Sequence, residues 1–202
     1  GPQAGTLTTG ANGTLIGYRA GWKLTTGNNN TVVGNNALTN ATTAANNTVV
    51  GMSAMGSGAA TGQQNAVFGY TALQNQASSL SFTTAIGAQA MASYTGNDNN
   101  TPNANVAVGF ATFNGSSGSG VRNTVVGGKS ANVMTSASDN TFVGNQTGLV
   151  VTTGGNNTII GSQVAKTTLA TGTGNILIGV DSNTDTASSS TRAASTRRSA
   201  GV

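Results

Sequence analysis

Ten copies of a short apolar–glycine motif lie along the chain at nearly constant spacing, and this repeat limits the possible folds more than any other feature. Each copy is two adjacent apolar residues followed by glycine, at intervals of 17 or 18 residues except for one of 22. Periods of this length are typical of proteins that stack copies of one small unit. The glycines are Gly17, Gly34, Gly51, Gly69, Gly87, Gly109, Gly127, Gly144, Gly161 and Gly179.

Aligned on that glycine, the unit is Asn-Thr-Φ-Φ-Gly, where Φ is apolar, as in NNTVVG at residues 29–34 and 46–51. In a stacked coil each position lies above its equivalent, so Asn is predicted to form an amide ladder and Thr a hydroxyl and methyl ladder. Glycine permits a corner that a Cβ would obstruct. These columns are therefore predicted to be structural. The asparagines are Asn30, Asn47, Asn65, Asn105, Asn123, Asn140, Asn157 and Asn175.

The central residues of each unit predict a short strand, because β-branched side chains suit a pleated surface. The intervening segments are rich in Asn and Gly and predict turns, while glycine in every unit argues against helix. The predicted fold is all-β: a parallel β-solenoid, or β-roll, of about ten coils of 17–18 residues. Ten coils at ~4.8 Å each give a rod roughly 45–50 Å long.

Both Φ positions are apolar in every unit, as at Val32-Val33 and Ile159-Ile160. Neighbouring strand residues point to opposite faces, so one Φ fills the inside of the coil and the other requires a cover. Another copy of the chain is the simplest cover. The sequence therefore predicts an oligomer.

The runs TTGNNNTVVGNNAL (residues 25–38) and NNTVVGMSAM (residues 46–55) resemble the GNNNTAIGYQAL-type repeats of phage tail-fibre proteins and related bacterial surface fibres. In those proteins the repeats often precede an endosialidase-type intramolecular chaperone. The repeats are also similar, more distantly, to the left-handed β-roll heads of trimeric autotransporter adhesins. The resemblance covers roughly residues 13–179 and implies a homotrimeric rod.

One part of the pattern lapses in the C-terminal half. Ala three residues after the glycine, followed by Leu or Met, occurs in the early units, as at Ala37-Leu38 and Ala54-Met55. Later units lack it, and Val133-Met134 and Leu169 are predicted to replace it at shifted positions. This lapse predicts that the C-terminal half coils differently.

The composition excludes most catalytic chemistry. The chain has no His and no Cys, and its only acids are Asp98, Asp139, Asp181 and Asp185. Ser-His-Asp and Cys-His catalysis and zinc sites therefore lack their residues. Glycan cleavage needs paired carboxylates, whereas Asp98 and Asp139 are about two repeats apart. We predict a non-enzymatic protein with no cofactor and no metal.

Charge and hydropathy argue against two further partners. Three of the eight basic residues lie in the last eleven positions, and the body carries no basic stripe of the kind that binds nucleic acid. No apolar run approaches the ~20 residues that span a bilayer. We predict neither nucleic-acid binding nor membrane insertion.

The one interval of 22 residues carries its extra length within residues 93–105. Insertions in a solenoid form loops on one face, which is often the binding face. Tyr94 and Asp98 in this segment, with Trp22 in an early turn, are the candidate contacts to a host or cell-surface glycan or protein receptor. A tolerated bulge with no ligand is the simpler interpretation.

The chain divides into three segments by pattern. Residues 1–12 form an N-terminal lead-in, whose Gly1-Pro2 is typical of a protease-cleavage scar; residues 13–183 form the solenoid. Residues 184–202 are rich in Ser, Thr and Arg and are expected to be a flexible terminus or a connection to a further segment.

The leading functional prediction is a structural segment of a trimeric surface fibre, most simply a phage tail fibre contributing to host attachment. It would lie on a virion, or outside the cell at its surface. The alternatives are a bacterial trimeric adhesin head that binds cell-surface or matrix molecules and an ice-binding solenoid. Against ice binding, Thr shares its strand face with the bulky residue before the glycine, and the period of two points Thr inward or toward a neighbour.

Overall fold

The chain folds as a parallel β-solenoid, and the computed structural model describes residues 1–6, 8–58, 61–75, 80–95, 103–115, 119–167 and 169–180. Ten three-residue strands form one sheet in chain order, each hydrogen-bonded in parallel to the next. The predicted fold class is confirmed. The strands are β1 Thr14–Ile16, β2 Thr31–Val33, β3 Thr48–Val50, β4 Ala66–Phe68, β5 Thr84–Ile86, β6 Val106–Val108, β7 Thr124–Val126, β8 Thr141–Val143, β9 Thr158–Ile160 and β10 Ile176–Ile178.

Equivalent positions of successive units pair with each other without a shift in register. Thr31 of β2 lies opposite Thr48 of β3, and the pairing continues unchanged to Ile178 of β10 opposite Ile160 of β9. The sheet therefore advances about 4.8 Å per coil, which makes the ten strands a rod face about 45 Å long. Each repeat of the sequence therefore corresponds to one coil of the solenoid.

Hydrogen bonds between coils also continue outside the strands, through the turns. The amide of Lys23 donates to the carbonyl of Thr39 at 3.0 Å, and the amide of Asn36 donates to the carbonyl of Tyr18 at 2.9 Å. Buried backbone groups must find such partners, and here they find them one coil away. The turns are therefore stacked as regularly as the strands.

Left-handed backbone conformations recur at fixed places in each coil and explain much of the composition. In the second coil Asn36, Leu38 and Asn46 have φ of 53°, 49° and 59°. Asn tolerates this conformation, whereas a bulky residue such as Leu38 is strained in it by about 1–2 kcal/mol. The Leu38 side chain is fully buried, so its burial offsets the strain.

The C-terminal half does not coil differently, contrary to the prediction, because other residues keep the interior filled. In the eighth coil the position of Leu38 is taken by Gly148, and a Cβ there would lie 2.9 Å from the ring of the inward-facing Phe142. The large ring replaces the missing Leu. Val151 is buried in the same coil, and Met134 and Leu169 are buried in the coils on either side, which have Ala at the position of Leu38. Large side chains therefore occupy different positions in different coils, while the path of the backbone stays the same.

The insertion between the fifth and sixth units leaves the sheet undisturbed. Thr84 pairs with Val106, and Ile86 with Val108, as in every other pair of strands. Residues 96–102 of this longer interval lie outside the described residues.

The lead-in segment packs as part of a further coil. The amide of Arg19 donates to the carbonyl of Pro2 at 3.2 Å, and the amide of Gly5 donates to the carbonyl of Ala20 at 3.0 Å. Gln3 and Gly5 have the same left-handed φ as their equivalents in the second coil. The predicted C-terminal segment 184–202 lies outside the described residues.

The repeat glycine is required by both its conformation and its neighbours. Gly34 has φ of 144°, and a Cβ built on it would lie 2.4 Å from the carbonyl oxygen of Gly51 in the next coil. Gly34→Ala is therefore expected to lower the free energy of unfolding by about 2 kcal/mol or more, as measured by urea denaturation. The matched control is Gly13→Ala, where a Cβ would lie 3.5 Å from the carbonyl oxygen of Asn30. If the two substitutions lowered stability equally, neither the positive φ of Gly34 nor its close contact with Gly51 would be the reason that glycine is required there.

Candidate functional site

Each strand points one side chain into the coil and two out of it. The middle residue faces inward and is buried in every strand but the first, where Leu15 is half-buried; Val32, Val49 and Ile159 are examples. The Thr position and the residue before the glycine face outward on the other side of the sheet. The first of the two Φ residues is therefore the buried one, and the second, directly before the glycine, faces outward.

The residues before the glycine form an exposed apolar column along the rod. Ile16 is 55% exposed, Phe68 38% and Ile178 65%, although all three are large and apolar. One residue beyond the glycine, the exposed side chains of Met52, Tyr70 and Phe110 adjoin this column in the third, fourth and sixth units. We call the column together with these three side chains the outer apolar face. The column consists of Ile16, Val33, Val50, Phe68, Ile86, Val108, Val126, Val143, Ile160 and Ile178.

The strand threonines lie beside this column and also face outward. Thr31 and Thr141 are exposed, so the alternative that Thr points into the coil is wrong. Thr31 lies opposite Thr48 in the sheet, so the threonines of neighbouring units are stacked in the strands as predicted. In a turn, Thr9 donates through Oγ1 to the backbone carbonyl of Thr25 at 2.9 Å, and Thr25 donates likewise to Thr42, so these hydroxyls bond to the backbone.

The repeat asparagines form a buried amide ladder inside the coil. Asn140 donates from Nδ2 to Oδ1 of Asn123 at 3.0 Å and to the carbonyl of Gly154 at 3.0 Å. Its own Oδ1 accepts from the backbone amide of Asn157 at 2.9 Å and from Nδ2 of Asn157 at 3.0 Å. Its Nδ2 also donates to the carbonyl of Ser138 at 3.1 Å. Within an unbroken stretch of the ladder each amide is thus satisfied by its copies above and below it and by backbone carbonyls, which removes the cost of burying it.

The ladder is interrupted in the fifth unit, and Tyr94 occupies the break. Thr83 stands where the other units have Asn, and its backbone amide donates to Oδ1 of Asn65 at 2.9 Å. The Tyr94 hydroxyl donates to the carbonyl of Gly120 at 2.5 Å and accepts from Nδ2 of Asn105 at 3.1 Å. The tyrosine therefore starts the second half of the ladder.

Tyr94 is consequently a core residue, and its prediction as a receptor contact is wrong. Its side chain has no exposed surface, and its ring packs at 5.1 Å, centroid to centroid, on that of Phe113. Burial raises the pKa of the Tyr94 hydroxyl far above its usual range. The side-chain amide of Asn103 is buried and has no hydrogen-bond partner among the described residues.

Trp22, the second predicted contact, lies half-buried at the surface of the first coil. The guanidinium of Arg19 lies 4.6 Å from the centroid of the Trp22 ring and 5.1 Å from that of Tyr18. The ammonium of Lys23 lies 5.8 Å from the Trp22 ring. Sequence reasoning missed Tyr18, Arg19 and Lys23, although their spacing in YRAGWK places them in one turn.

The third predicted contact, Asp98, lies outside the described residues, as do Asp181 and Asp185. Asp139 accepts two hydrogen bonds from Arg122, at 2.6 and 2.8 Å, across one coil. The Arg122 guanidinium lowers the pKa of the Asp139 carboxyl below its usual range. The pair is exposed to solvent, so it adds little to stability.

The described part of the chain holds no group of three or more His, Cys, Asp or Glu side chains placed to bind a metal ion. It also contains no helix long and apolar enough to cross a membrane.

Comparison with known protein families, with curated proteins and with solved structures finds no match for this chain. The function is therefore inferred from the surfaces of the solenoid itself.

The amide ladder is tested by an isosteric exchange. Asn140→Asp replaces an amide nitrogen that donates to three oxygens with a buried carboxylate that faces them, so we expect it to destabilise the protein by about 3 kcal/mol or more at pH 7. Burial raises the pKa of the new carboxyl above its unfolded value near 4, so the loss grows as pH rises through that value. Urea denaturation at pH 3.5 and pH 7 measures both effects.

The matched control is Asn145→Asp, at an exposed amide with one hydrogen bond, to the carbonyl of Gly128 at 3.2 Å. It is expected to change stability little at either pH. If Asn140→Asp were equally mild, the ladder would not hold the coils together.

Proposed function

We propose that this chain is a non-enzymatic structural segment of a trimeric surface fibre, such as a phage tail fibre or a fibre-like appendage, that contributes to host attachment. The observation that supports the proposal is the outer apolar face, which runs the length of the described sheet. Displayed on a virion or a cell surface, the rod would serve as a stiff spacer.

The outer apolar face is larger than an isolated soluble chain is expected to expose. Monomeric proteins rarely show a continuous apolar patch above a few hundred Å², and such patches mark interaction sites. This one extends about 45 Å along the rod, given the spacing of strands. Burying the exposed parts of its ten strand side chains would contribute on the order of 10 kcal/mol per chain.

Identical chains are the cover that fits this geometry best. A straight column that repeats once per coil is matched in spacing by the same column on a second copy. Rotation of copies about an axis parallel to the rod brings like faces together and closes the assembly. The number three follows from the resemblance to fibre repeats, and a bacterial trimeric adhesin head would use the same arrangement.

The outward threonines favour ice binding as a second candidate. Thr31, Thr48, Thr124 and Thr141 lie on the flat sheet face beside the apolar column. An ice-binding face has to remain open to water, whereas the fibre proposal covers it. Thermal hysteresis of the purified protein distinguishes the two, since the fibre proposal predicts none.

Light-scattering mass, measured beside small-angle scattering, tests the assembly. We expect a mass near three times 19.7 kDa in an elongated particle. Phe68→Lys, in the centre of the outer apolar face, is expected to shift the mass toward one chain, because the charge would be buried without a partner.

Ser136→Lys serves as the control, because Ser136 is an exposed turn residue outside the strands, and its mass should stay unchanged. Circular dichroism of each variant checks that the solenoid is folded. A wild-type particle with the mass of a single compact chain would overturn the trimer and leave the outer face open.

A further inference from the structure

The first coil carries a surface cluster that differs from every described equivalent. Tyr18, Arg19, Trp22 and Lys23 lie in one turn, and we call them the aromatic–cationic cluster. The same positions of the second coil hold Asn35, Asn36, Thr39 and Asn40, which are all small and polar. Tyr70 and Lys129 occupy the positions of Tyr18 and Arg19 in two later coils, but no other described coil combines two aromatic rings with two cations. The repeat therefore does not require these residues, and their presence calls for another explanation.

The guanidinium of Arg19 is held in place while its outer edge stays free. It lies between the two rings, at 5.1 Å from Tyr18 and 4.6 Å from Trp22, and its Nε donates to Oε1 of Gln3 at 2.7 Å. Its terminal Nη atoms donate no hydrogen bond to the described residues. A guanidinium fixed in this way keeps two parallel donors available for a planar anion such as a carboxylate.

The charge of the cluster is not balanced within the described chain. Lys23 adds an exposed ammonium near the Trp22 ring, at 5.8 Å. The one carboxyl among the described side chains, that of Asp139, lies seven coils away and is paired with Arg122. A nearby anion would therefore meet two cations and no competing acid.

The aromatic rings favour a saccharide over a simple ion. Tyr18 is 39% exposed, and Trp22 is half-buried, so each offers apolar ring surface beside the cations. The apolar C–H face of a pyranose packs on such rings, while the polar tips of Tyr and Trp stay hydrated. Two cations in one turn are too few for the stripe that follows a nucleic-acid backbone.

We propose that the aromatic–cationic cluster binds a carboxylated saccharide, with Arg19 holding the carboxylate and Tyr18 and Trp22 contacting the sugar ring. This inference deepens the proposed attachment role and rests on it for its biological meaning. The receptor contact would then lie on the side of the first coil, next to the lead-in segment.

Trp22 is the single tryptophan of the chain, so its fluorescence reports on this site alone. We expect titration with sialyllactose or with a galacturonate oligosaccharide to change the emission saturably. Lactose, which matches sialyllactose without the carboxylated sugar, should change it only at much higher concentration. Arg19→Gln and Arg19→Lys should each weaken binding at least about tenfold, because both lose the bidentate contact.

Lys129→Gln, which removes a cation elsewhere on the rod, is the matched control and should bind as the wild type does. No saturable change with either acidic saccharide, an equal response to lactose, or equal binding of inorganic sulfate would overturn the site. Light-scattering mass of the same samples separates the two proposals. A trimer that does not bind loses only the site, whereas a monomer that binds loses only the assembly.

Discussion

The buried repeat amides of this solenoid are satisfied mainly by their own copies, since the neighbour of each position is the same position one coil away. The amide of asparagine meets that condition, because it both donates and accepts and so bonds to an identical amide above and below. Asn140 shows the result: its oxygen accepts twice from Asn157, and its nitrogen donates to Asn123 and to a carbonyl. A side chain that only donates or only accepts would leave a buried group unpaired in every coil.

The same stacking decides what the outside of the rod looks like. A strand that packs one residue inward must send its neighbours outward, so any property repeated in the sequence becomes a column on the surface. Val32 fills the interior, and Val33 therefore adds to an apolar column instead of to the core. That column is exposed on the described chain, and the proposed function covers it with further copies of the chain. Attachment to a receptor would then depend on residues that differ from the repeat, such as the cluster around Arg19.

The regular part of this architecture is predictable from sequence, and the exceptions are not. The glycine spacing locates all ten strands, and the doubled apolar residue shows that both strand faces are apolar. Periodicity alone does not say which Φ residue is buried, because either choice satisfies an alternation of two. Its position in an insertion predicts that Tyr94 lies at the surface. In the structure the Asn ladder is interrupted at Thr83, and the buried Tyr94 side chain occupies the gap. Gly148 similarly breaks the repeat pattern because Phe142 already occupies the space. Side-chain exchanges between coils of this kind require the three-dimensional stack.

The distance between equivalent residues of different copies tests the central claim most directly. The chain has no Cys, so a single spin label can be attached at Val143→Cys on the outer apolar face or at Ser136→Cys in a turn. If other copies cover the face, double electron–electron resonance spectroscopy should show dipolar coupling between Val143→Cys labels on different chains. The distance between these labels should be shorter than the distance between Ser136→Cys labels. Absence of intermolecular coupling at Val143→Cys would contradict the account, because the apolar column would then be open to solvent.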